Sequence, residues 1–540
     1  MEKRRSTVRP YTMTKGTLFP VASLMLLGIV LARMTEDRTA GMALAPVMVY
    51  LMCYCIFMIA CRKRVFRFVR MYCNNRFYVN AKESSRFVLY ETLGIVFVAA
   101  VLLVLFARPA AALISGDEKA GLSLYLCAGC LLFCGAEGIL AGFAEGMGKR
   151  RQVLATDVIR ALLMIGIPVP FAFLGYRYGA KLDALLYTTD CAAAYAAAFA
   201  TAGLLISDVI LTLTLLLLRR SSLRSLYPLE ETGKERYTGE KPAFFKAVAP
   251  LAFTLSLPHL LVILLCALFR NYMYRSDPFT DTAAMLGALY GHYLPFTVFL
   301  GILMALPFLE ACYRLPENED APESGRAGTR FLKLTHRQCV LCLPAGIFLT
   351  ALAEPVETAV FRVPTDVTQM LLLVGAMLTP LLTFAVTNCT LLALTKRFSG
   401  MIGGGILAVL TGTVLTFVLL RTLQQGLIAV VAGLMLGCLV FGFYAYVVLT
   451  RLMHVKRLRL LQLAGFPLVF AALSALPVFF LGRSLSRVIG EVAAVAVSVL
   501  AGSVIYLFLM ALTGGLITGD LEGLPLGETL ERISLRRRRR

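Results

Sequence analysis

Charged residues are scarce in this chain of 540 residues. They make up 16% of the sequence, against 59% hydrophobic residues. An ordinary soluble protein has roughly 25% charged and 45–50% apolar residues, so the composition excludes a typical soluble domain. The apolar residues recur from end to end in blocks of about 20, the length that a helix needs to cross ~30 Å of hydrocarbon. The sequence therefore predicts an all-α polytopic membrane protein.

Other absences narrow the class of protein. The first apolar block has no small-residue cleavage site, so we expect a membrane helix there and not a removable signal. No outer connection exceeds about 18 residues, which excludes the large outer domain that carries catalytic acids in membrane glycosyltransferases. Cys127, Cys130 and Cys134 have no histidine or acidic ligands at matched spacing, so packing is favoured over a metal site. We expect neither an enzyme nor a bound metal or cofactor.

Fourteen apolar blocks follow one another along the chain and are called spans 1 to 14. They lie at residues 15–32, 42–60, 87–106, 122–143, 153–175, 191–218, 244–269, 283–306, 331–352, 367–394, 401–420, 426–450, 460–482 and 488–512. We therefore predict about 14 transmembrane helices.

Basic residues are distributed unequally between the two sides of the membrane. When alternate connections are assigned to opposite sides, 40 lysines and arginines fall on the side of the N-terminus and 12 on the other. Basic residues concentrate on the cytoplasmic side, so we predict an inner-membrane protein with both termini in the cytoplasm. The net charge of +21 then reflects membrane topology and not nucleic-acid binding. The basic tail Arg536–Arg540 is expected to contact anionic lipids.

The chain contains signs of an internal repeat. Spans 1 and 7 each combine a lysine at the start, a proline about a turn later and an arginine at the end: Lys15, Pro20 and Arg33, and Lys246, Pro250 and Arg270. Tight basic turns at 149–151 and 396–397 are also six spans apart. An even offset predicts parallel repeats about an axis along the membrane normal, with the substrate path between them.

The predicted organisation follows from this repeat. It consists of a six-helix lobe at 1–218, a cytoplasmic linker at 219–243, a second six-helix lobe at 244–450, two additional helices at 451–512 and a basic cytoplasmic tail at 513–540.

Several segments resemble those of a known superfamily. Gly138-Ile-Leu-Ala-Gly142-Phe-Ala-Glu-Gly146-Met-Gly-Lys149 is similar to the junction of spans 4 and 5 in the multidrug/oligosaccharidyl-lipid/polysaccharide (MOP) flippase superfamily. Leu306-Pro-Phe-Leu-Glu310-Ala resembles that family's Pro-x-x-Ser-Glu-Ala segment, and Leu343-Pro-Ala-Gly346 and Leu352-Ala-Glu-Pro355 match in order and spacing. The resemblance covers residues 10–450 and is closest to the branch of stage V sporulation protein B and the lipid II flippases.

The resemblance implies a MATE-like fold, with two six-helix lobes around a central cavity, alternating access and a large amphiphilic substrate. The chain also departs from the pattern. That branch often has Glu near residue 160 and Arg four residues later, whereas this chain has Arg160 and Met164. The drug-antiporter branch carries an acid in span 1, and this chain has none between Lys15 and Arg33. The second difference argues against drug efflux coupled to a cation through span 1.

Ionisable residues at membrane depth cost roughly 2.5–3.5 kcal/mol and so point to function. Asp208 lies about ten residues before Arg219, near the midplane, where it serves either ion coupling or a helix–helix hydrogen bond. Glu137 faces either the cavity or another helix, and Glu145 follows it on the same face. The adjoining stripe Gly138, Gly142 and Gly146 is expected to pack closely against another helix.

Four further ionisable residues have two interpretations each. Asp157 and Arg160 share a face of span 5, where Asp157 is an ion-coupling candidate and Arg160 a substrate contact, or the two neutralise each other. His259 follows Pro258, and His292 follows Gly291. Each is either a titrating group exposed at a proline-broken helix or a satisfied core residue.

Arg33 and Arg270 end spans 1 and 7 at repeat-related places. Guanidinium groups bind phosphate in a bidentate manner, so the pair is a candidate pyrophosphate contact, with interfacial snorkelling as the alternative. We therefore predict a flippase for a polyprenyl-pyrophosphate-linked saccharide or lipid II-like precursor, with H⁺ or Na⁺ as coupling ion. The alternatives are a MATE-like exporter of drugs or amphiphiles, and a non-transporting scaffold for envelope or spore assembly.

Overall fold

The computed structural model describes residues 11–234, 244–277, 279–314, 324–361, 365–422, 426–455 and 460–516. Its regular elements are helices. The α-helices are α1 Tyr11–Met34, α2 Asp37–Tyr54, α3 Arg62–Asn74, α4 Tyr78–Leu105, α5 Ala107–Ser115, α6 Gly121–Gly146, α7 Arg150–Gly166, α8 Pro168–Leu186, α9 Cys191–Glu231, α10 Phe244–Ser276, α11 Thr282–Gly287, α12 Leu294–Arg314, α13 Ser324–Ala351, α14 Ala353–Val360, α15 Asp366–Gly375, α16 Leu378–Leu394, α17 Phe398–Thr422, α18 Leu427–Leu452, α19 Leu460–Ile489 and α20 Glu491–Thr513.

Each of the fourteen predicted spans falls on helix. Among the described residues, eleven helices are long and apolar enough to cross a membrane. Two further helix pairs qualify together but are bent, by 74° between α13 and α14 and by 45° between α15 and α16. The remaining span corresponds to the shorter apolar helix Leu18–Met34. The prediction of an all-α, multi-pass membrane protein is confirmed.

Three helices run beyond their predicted ends. Span 2 continues through α3, so Arg62 belongs to a membrane helix and not to a basic loop. Helix α9 extends to Glu231, well into the predicted linker. Helix α10 continues to Ser276, so Arg270 does not end span 7 as predicted. Hydropathy marks where the hydrocarbon ends, whereas the backbone hydrogen bonds that define a helix continue into water.

Prolines interrupt the helices less than expected. Pro258 lies inside the continuous helix α10, so the predicted break beside His259 is wrong. Proline removes one backbone donor, the partner of the carbonyl four residues earlier, and helices inside membrane proteins tolerate such a loss. Thr254 donates its hydroxyl to the carbonyl of Pro250 at 2.8 Å, and the His259 Nδ1 contacts the Leu255 carbonyl at 3.2 Å.

The chain divides into two compact units, residues 1–291 and 292–540. The first unit therefore includes span 7 and the beginning of span 8. The lobe boundaries proposed from the sequence, at 218 and 244, stay predictions. Residues 235–243 of the linker and the basic tail 517–540 lie outside the described residues.

Local irregularities recur at the six-span offset of the predicted repeat. A π-helical segment interrupts span 2 at Cys55–Cys61 and span 8 at Ala288–Tyr293. Spans 3 and 9 each end at one residue of similar conformation before a short helix: Phe106 has φ −103° and ψ 13°, and Leu352 has φ −103° and ψ 17°. The same deviations at corresponding places indicate two copies of one local design.

The glycine stripe on α6 packs as predicted. A Cβ atom added at Gly138 would lie 2.2 Å from the Phe57 carbonyl oxygen, and one at Gly142 would lie 2.7 Å from the Arg62 carbonyl oxygen. Only hydrogen fits at these places, so the α6 backbone meets the π-helical segment of span 2 directly. This close approach brings Arg62 beside the carboxylates of α6.

Candidate functional site

Arg62 lies at the centre of a buried ion cluster in the first unit. Its guanidinium donates two hydrogen bonds to Asp157 on α7, both 2.9 Å long, in the bidentate arrangement that suits arginine and carboxylate. Its Nε donates to Glu145 on α6 at 3.3 Å. Arg150 adds a second cation, with its Nε 3.5 Å from the other Glu145 oxygen. Arg62 itself is 1% exposed.

Arg160 forms a second buried cluster, about a turn further along α7. Its Nη2 is hydrogen-bonded to Glu137 on α6, whose other oxygen accepts a 3.0 Å hydrogen bond from Thr212. The Arg160 Nη1 lies 3.6 Å from Asp208 Oδ1 on α9, beyond hydrogen-bond range. The same Asp208 oxygen accepts a 2.8 Å hydrogen bond from Tyr50 on α2. Four helices therefore meet at this cluster.

The two clusters share helices and form one polar network. Glu137 and Glu145 are eight residues apart on α6, and Asp157 and Arg160 are three apart on α7, so each helix contributes to both clusters. The network comprises three arginines and four carboxylates: Arg62, Arg150 and Arg160, and Glu137, Glu145, Asp157 and Asp208. One carboxylate is in excess of the arginines, so the network has a net negative charge when all of these groups are ionised.

Asp208 is the carboxylate of this network that has an unpaired oxygen among the described residues. Both its oxygens are buried, and Oδ2 has no hydrogen-bond partner among the described protein atoms. The Nη1 of Arg160 is also buried without a hydrogen bond. Buried polar atoms without hydrogen bonds are costly in free energy. A ligand that pairs with Asp208 Oδ2 or Arg160 Nη1 would remove that cost.

The structure rearranges the pairing expected from the sequence. Asp157 and Arg160 do lie on one side of α7, but they bind different partners, Arg62 and Glu137, and the expectation that they neutralise each other is wrong. Spacing along one helix identifies a shared face and says nothing of the helix opposite. Arg62 was missed because it begins a run of basic residues that reads as a cytoplasmic loop.

A third ion cluster lies among the connections between spans. Arg38, at the start of α2, contacts three aspartates from three different connections: Asp117 at 3.3 Å, Asp190 at 2.5 Å and Asp281 at 3.4 Å. Lys119 contacts Asp190 at 3.3 Å. Partial burial of Asp190 opposes its ionisation, but Arg38 and Lys119 outweigh that and lower the pKa of this carboxyl. The cluster ties the predicted outer ends of spans 2, 4, 6 and 8 together.

Arg270 lines a cavity of about 340 Å³ next to this cluster. Its guanidinium stacks on Tyr274, 5.2 Å from the ring centroid. The cavity wall also includes Arg38 and three aspartates, Asp117, Asp277 and Asp281. Arg33, the predicted partner of Arg270, is exposed at the end of α1 and is not among the lining residues. The two-arginine pyrophosphate clamp stays a prediction.

The two candidate histidines have different surroundings. His259 contacts the carbonyl of Leu255 in its own helix, and no contact with the ion clusters is described. His292 is buried in the second unit, where its Nδ1 lies 2.8 Å from the Glu357 carboxylate. Glu357, 0% exposed, was not singled out in the sequence because it falls in the short segment after span 9.

Comparison with solved structures gives this geometry its context. A lipid II flippase, MurJ, in an inward closed conformation matches with a TM-score of 0.59 and 13% identity, over 93% of this chain and 98% of that one. An inward-facing multidrug-resistance MATE transporter of the MOP superfamily matches with a TM-score of 0.58 and 11% identity, over 83% and 99%. A MOP-superfamily transporter from Pyrococcus furiosus, with a binding pocket described as of reverse polarity, matches with a TM-score of 0.51 and 12% identity, over 85% and 100%.

No protein-family model and no curated protein sequence matches the chain. At identities of 11–13% the structural matches establish the fold alone. They extend over most of this chain and nearly all of each structure compared. The chain therefore has the fold of the MOP-superfamily flippases and MATE transporters, as the resemblance in its sequence predicted.

Proposed function

We propose that the protein is a cation-coupled flippase of the cytoplasmic membrane that moves a polyprenyl-pyrophosphate-linked saccharide or a lipid II-like precursor by alternating access. The excess carboxylate in the buried network of the first unit carries this proposal, because an ionisable group without a matching charge at membrane depth is costly and marks a candidate ion pathway. The likeness of fold to a lipid II flippase supports the substrate class. Both termini lie in the cytoplasm on this proposal.

Asp208 is the proposed coupling residue. Ionised, it adds a net negative charge to a region in which two arginines face three other carboxylates and a third arginine is partly exposed. Binding of H⁺ or Na⁺ removes that charge. The bound cation can stabilise one arrangement of α2, α6, α7 and α9 more than another. The equilibrium between the two arrangements then shifts by the difference in their affinities for the cation. Glu137 shares the same arginine and completes the site.

The substrate head group is assigned to the arginines near the predicted outer end. Arg270 borders a cavity, and its described contact is a ring, so its donors are available to a phosphate. Arg33 lies at the repeat-related place in span 1. Arg160 fits this role poorly because Glu137 and Asp208 already surround it. Each charge-assisted hydrogen bond to a phosphate contributes roughly 1.5–3 kcal/mol.

Transport into proteoliposomes tests both assignments. A fluorescent polyprenyl-pyrophosphate disaccharide is flipped with and without an imposed proton or sodium gradient. Asp208→Asn should abolish the stimulation by the gradient and leave folding intact. The control is Asp366→Asn, the same change at an exposed carboxylate. Equal stimulation in the parent and Asp208→Asn would refute coupling through Asp208.

The arginine assignment has its own matched control. Arg270→Ala should slow flipping of the pyrophosphate lipid by about tenfold or more, the effect of losing one charge-assisted contact. Lysine should restore it only in part, because it lacks the planar fork. Arg421→Ala is the control, since Arg421 stacks on Phe417 at 5.0 Å as Arg270 stacks on Tyr274. Normal flipping by Arg270→Ala and Arg33→Ala would refute the clamp.

Export of cationic amphiphiles is the second candidate function. The cavity beside Arg270 favours it, since three aspartates there outnumber two arginines. The same proteoliposomes distinguish the two functions when a lipophilic cation replaces the pyrophosphate lipid. Gradient-driven movement of the cation without movement of the lipid would replace the flippase proposal, and movement of neither would favour a scaffold.

A further inference from the structure

The second unit contains a buried ionisable pair at a place where two helices depart from regular geometry. His292 lies in the π-helical segment Ala288–Tyr293, and Glu357 lies on α14, the short helix bent by 74° from α13. π-helical segments frequently mark functional sites, and broken helices in membranes occur where backbone lines a site or is buried in protein.

The pair is almost completely enclosed. The side chain of His292 is 4% exposed and that of Glu357 is 0% exposed. The imidazole stacks on the ring of Phe361, with 3.6 Å between ring centroids. Phe296 packs edge-on against the Phe361 ring. The second carboxylate oxygen, Oε1, is buried without a hydrogen-bond partner among the described atoms. A buried carboxylate with one unsatisfied oxygen offers an acceptor that the fold does not use.

The repeat-related place in the first unit has no carboxylate. The break before α5 reads Phe106-Ala-Arg-Pro109 and the break before α14 reads Leu352-Ala-Glu-Pro355. Counted from the two prolines, Glu357 corresponds to Ala111, which is fully buried on α5. The same helix break and short helix therefore occur once with an apolar side chain at this position and once with a carboxylate. Glu357 is an addition to the fold, which favours a function over a structural role.

Among the described residues, no lysine or arginine pairs with Glu357. On α19, Arg483 binds Glu354, with its Nη2 2.6 Å from the carboxylate, on the exposed side of α14. On α20, Glu491 contacts Thr358. On α15, Asp366 is exposed, and α16 carries no charged residue. On α13, the charged residues nearest to the break, His336 and Arg337, precede it by 15 residues or more, and on α12 Glu310 lies towards the far end. Arg362 lies outside the described residues.

We propose that His292 and Glu357 form a proton-binding site of the second unit, separate from the proposed coupling site at Asp208. The pair with one proton is a neutral unit, whichever of the two groups carries it. Without that proton the pair has a net negative charge in a buried place, and with a second proton it has a net positive charge. The site takes up or releases one proton through the contact between Nδ1 and the carboxylate. Binding of the proton changes how α14 packs against its neighbours. The other face of α14 contacts α19 and α20.

The experiment measures proton binding without substrate. Proteoliposomes of the full chain on a solid-supported membrane receive pH jumps between about pH 5 and 9, a range that includes the pH at which a free histidine changes its charge. The displaced charge is recorded as a transient current. The parent should show two proton-binding steps. The double variant His292→Gln/Glu357→Gln should lose one, and Asp208→Asn should lose the other.

Matched variants keep the result interpretable. His259→Gln, the same change at a histidine bound to its own helix backbone, should retain both steps. Glu357→Ala copies the repeat-related Ala111 and is the second variant if the double variant does not fold. Retention of both steps in Glu357→Ala and in the double variant would overturn the proposal. If the midpoint of the step that depends on Glu357 moves when choline replaces sodium, the site binds sodium and the proposal of proton binding is overturned. Since no substrate is present, failure of the flippase proposal leaves this result unaffected.

Discussion

The two units bury charge in different ways. The first encloses arginines and carboxylates from α3, α6, α7 and α9 in one network, whereas the second encloses His292 against Glu357. In the network, removing one member leaves a charge without a partner. In the pair, either member can become neutral by moving a proton. We infer that the network combines structure with function, and that the pair is dispensable for the fold.

Loss of Arg62 should give the largest effect on stability. Arg62→Met leaves Asp157 buried without its bidentate partner and should reduce the free energy of unfolding by about 3–5 kcal/mol. Glu357→Ala should cost about 1 kcal/mol or less, since a neutral imidazole remains. Denaturant unfolding in detergent measures both. The double variant Arg62→Met/Asp157→Leu should recover much of the loss. Equal destabilisation by Arg62→Met and Glu357→Ala would remove the proposed difference between the units.

A smaller effect on stability is expected at the glycine stripe, where α6 packs closely against span 2 beside the ion network. Gly138→Ala places a methyl group 2.2 Å from the Phe57 carbonyl oxygen, so the helices must separate, at a cost of about 1–3 kcal/mol. Gly94→Ala is the control because a methyl group there meets no atom within 4 Å. It should be neutral or stabilise the helix by about 0.5–1 kcal/mol. Thermal unfolding of the two variants, measured side by side, decides the point. A Gly138→Ala protein as stable as Gly94→Ala would contradict the close packing.

The smallest effect should come from the partly exposed cluster around Arg38. The lowered pKa of Asp190 means that its ion pairs stabilise the folded state above its unfolded pKa of about 3.9, and that this contribution is lost as the pH falls through the folded value. The side chain is 33% exposed, so solvent screening limits the contribution to below about 1 kcal/mol. Asp190→Asn should therefore unfold more easily than the parent near neutral pH, and the difference should vanish in acid. Melting temperatures measured from neutral pH to about pH 3 test this, and a difference that persists in acid would contradict the ion-pair explanation.

Some of the site was accessible from the sequence. Asp208, Glu137, Asp157 and Arg160 stand out because an ionisable residue inside an apolar block is conspicuous. Arg62 and Glu357 could not be found in this way. Arg62 begins a basic run that hydropathy assigns to a loop, and Glu357 follows the end of span 9 in a segment with further polar residues. Each becomes informative only when the helix that carries it is seen to continue or to bend.

The sequence by itself determined the fold class, the order of the apolar helices and the close-packing face of α6. These depend on hydrophobic length and on residue size, which are properties of consecutive residues. The tertiary structure alone decided the partners: Asp157 with Arg62, Arg160 with Glu137, Asp208 with Tyr50, and His292 with Glu357. Pairing depends on which helices meet and at what height, and no local pattern in a single sequence contains that information.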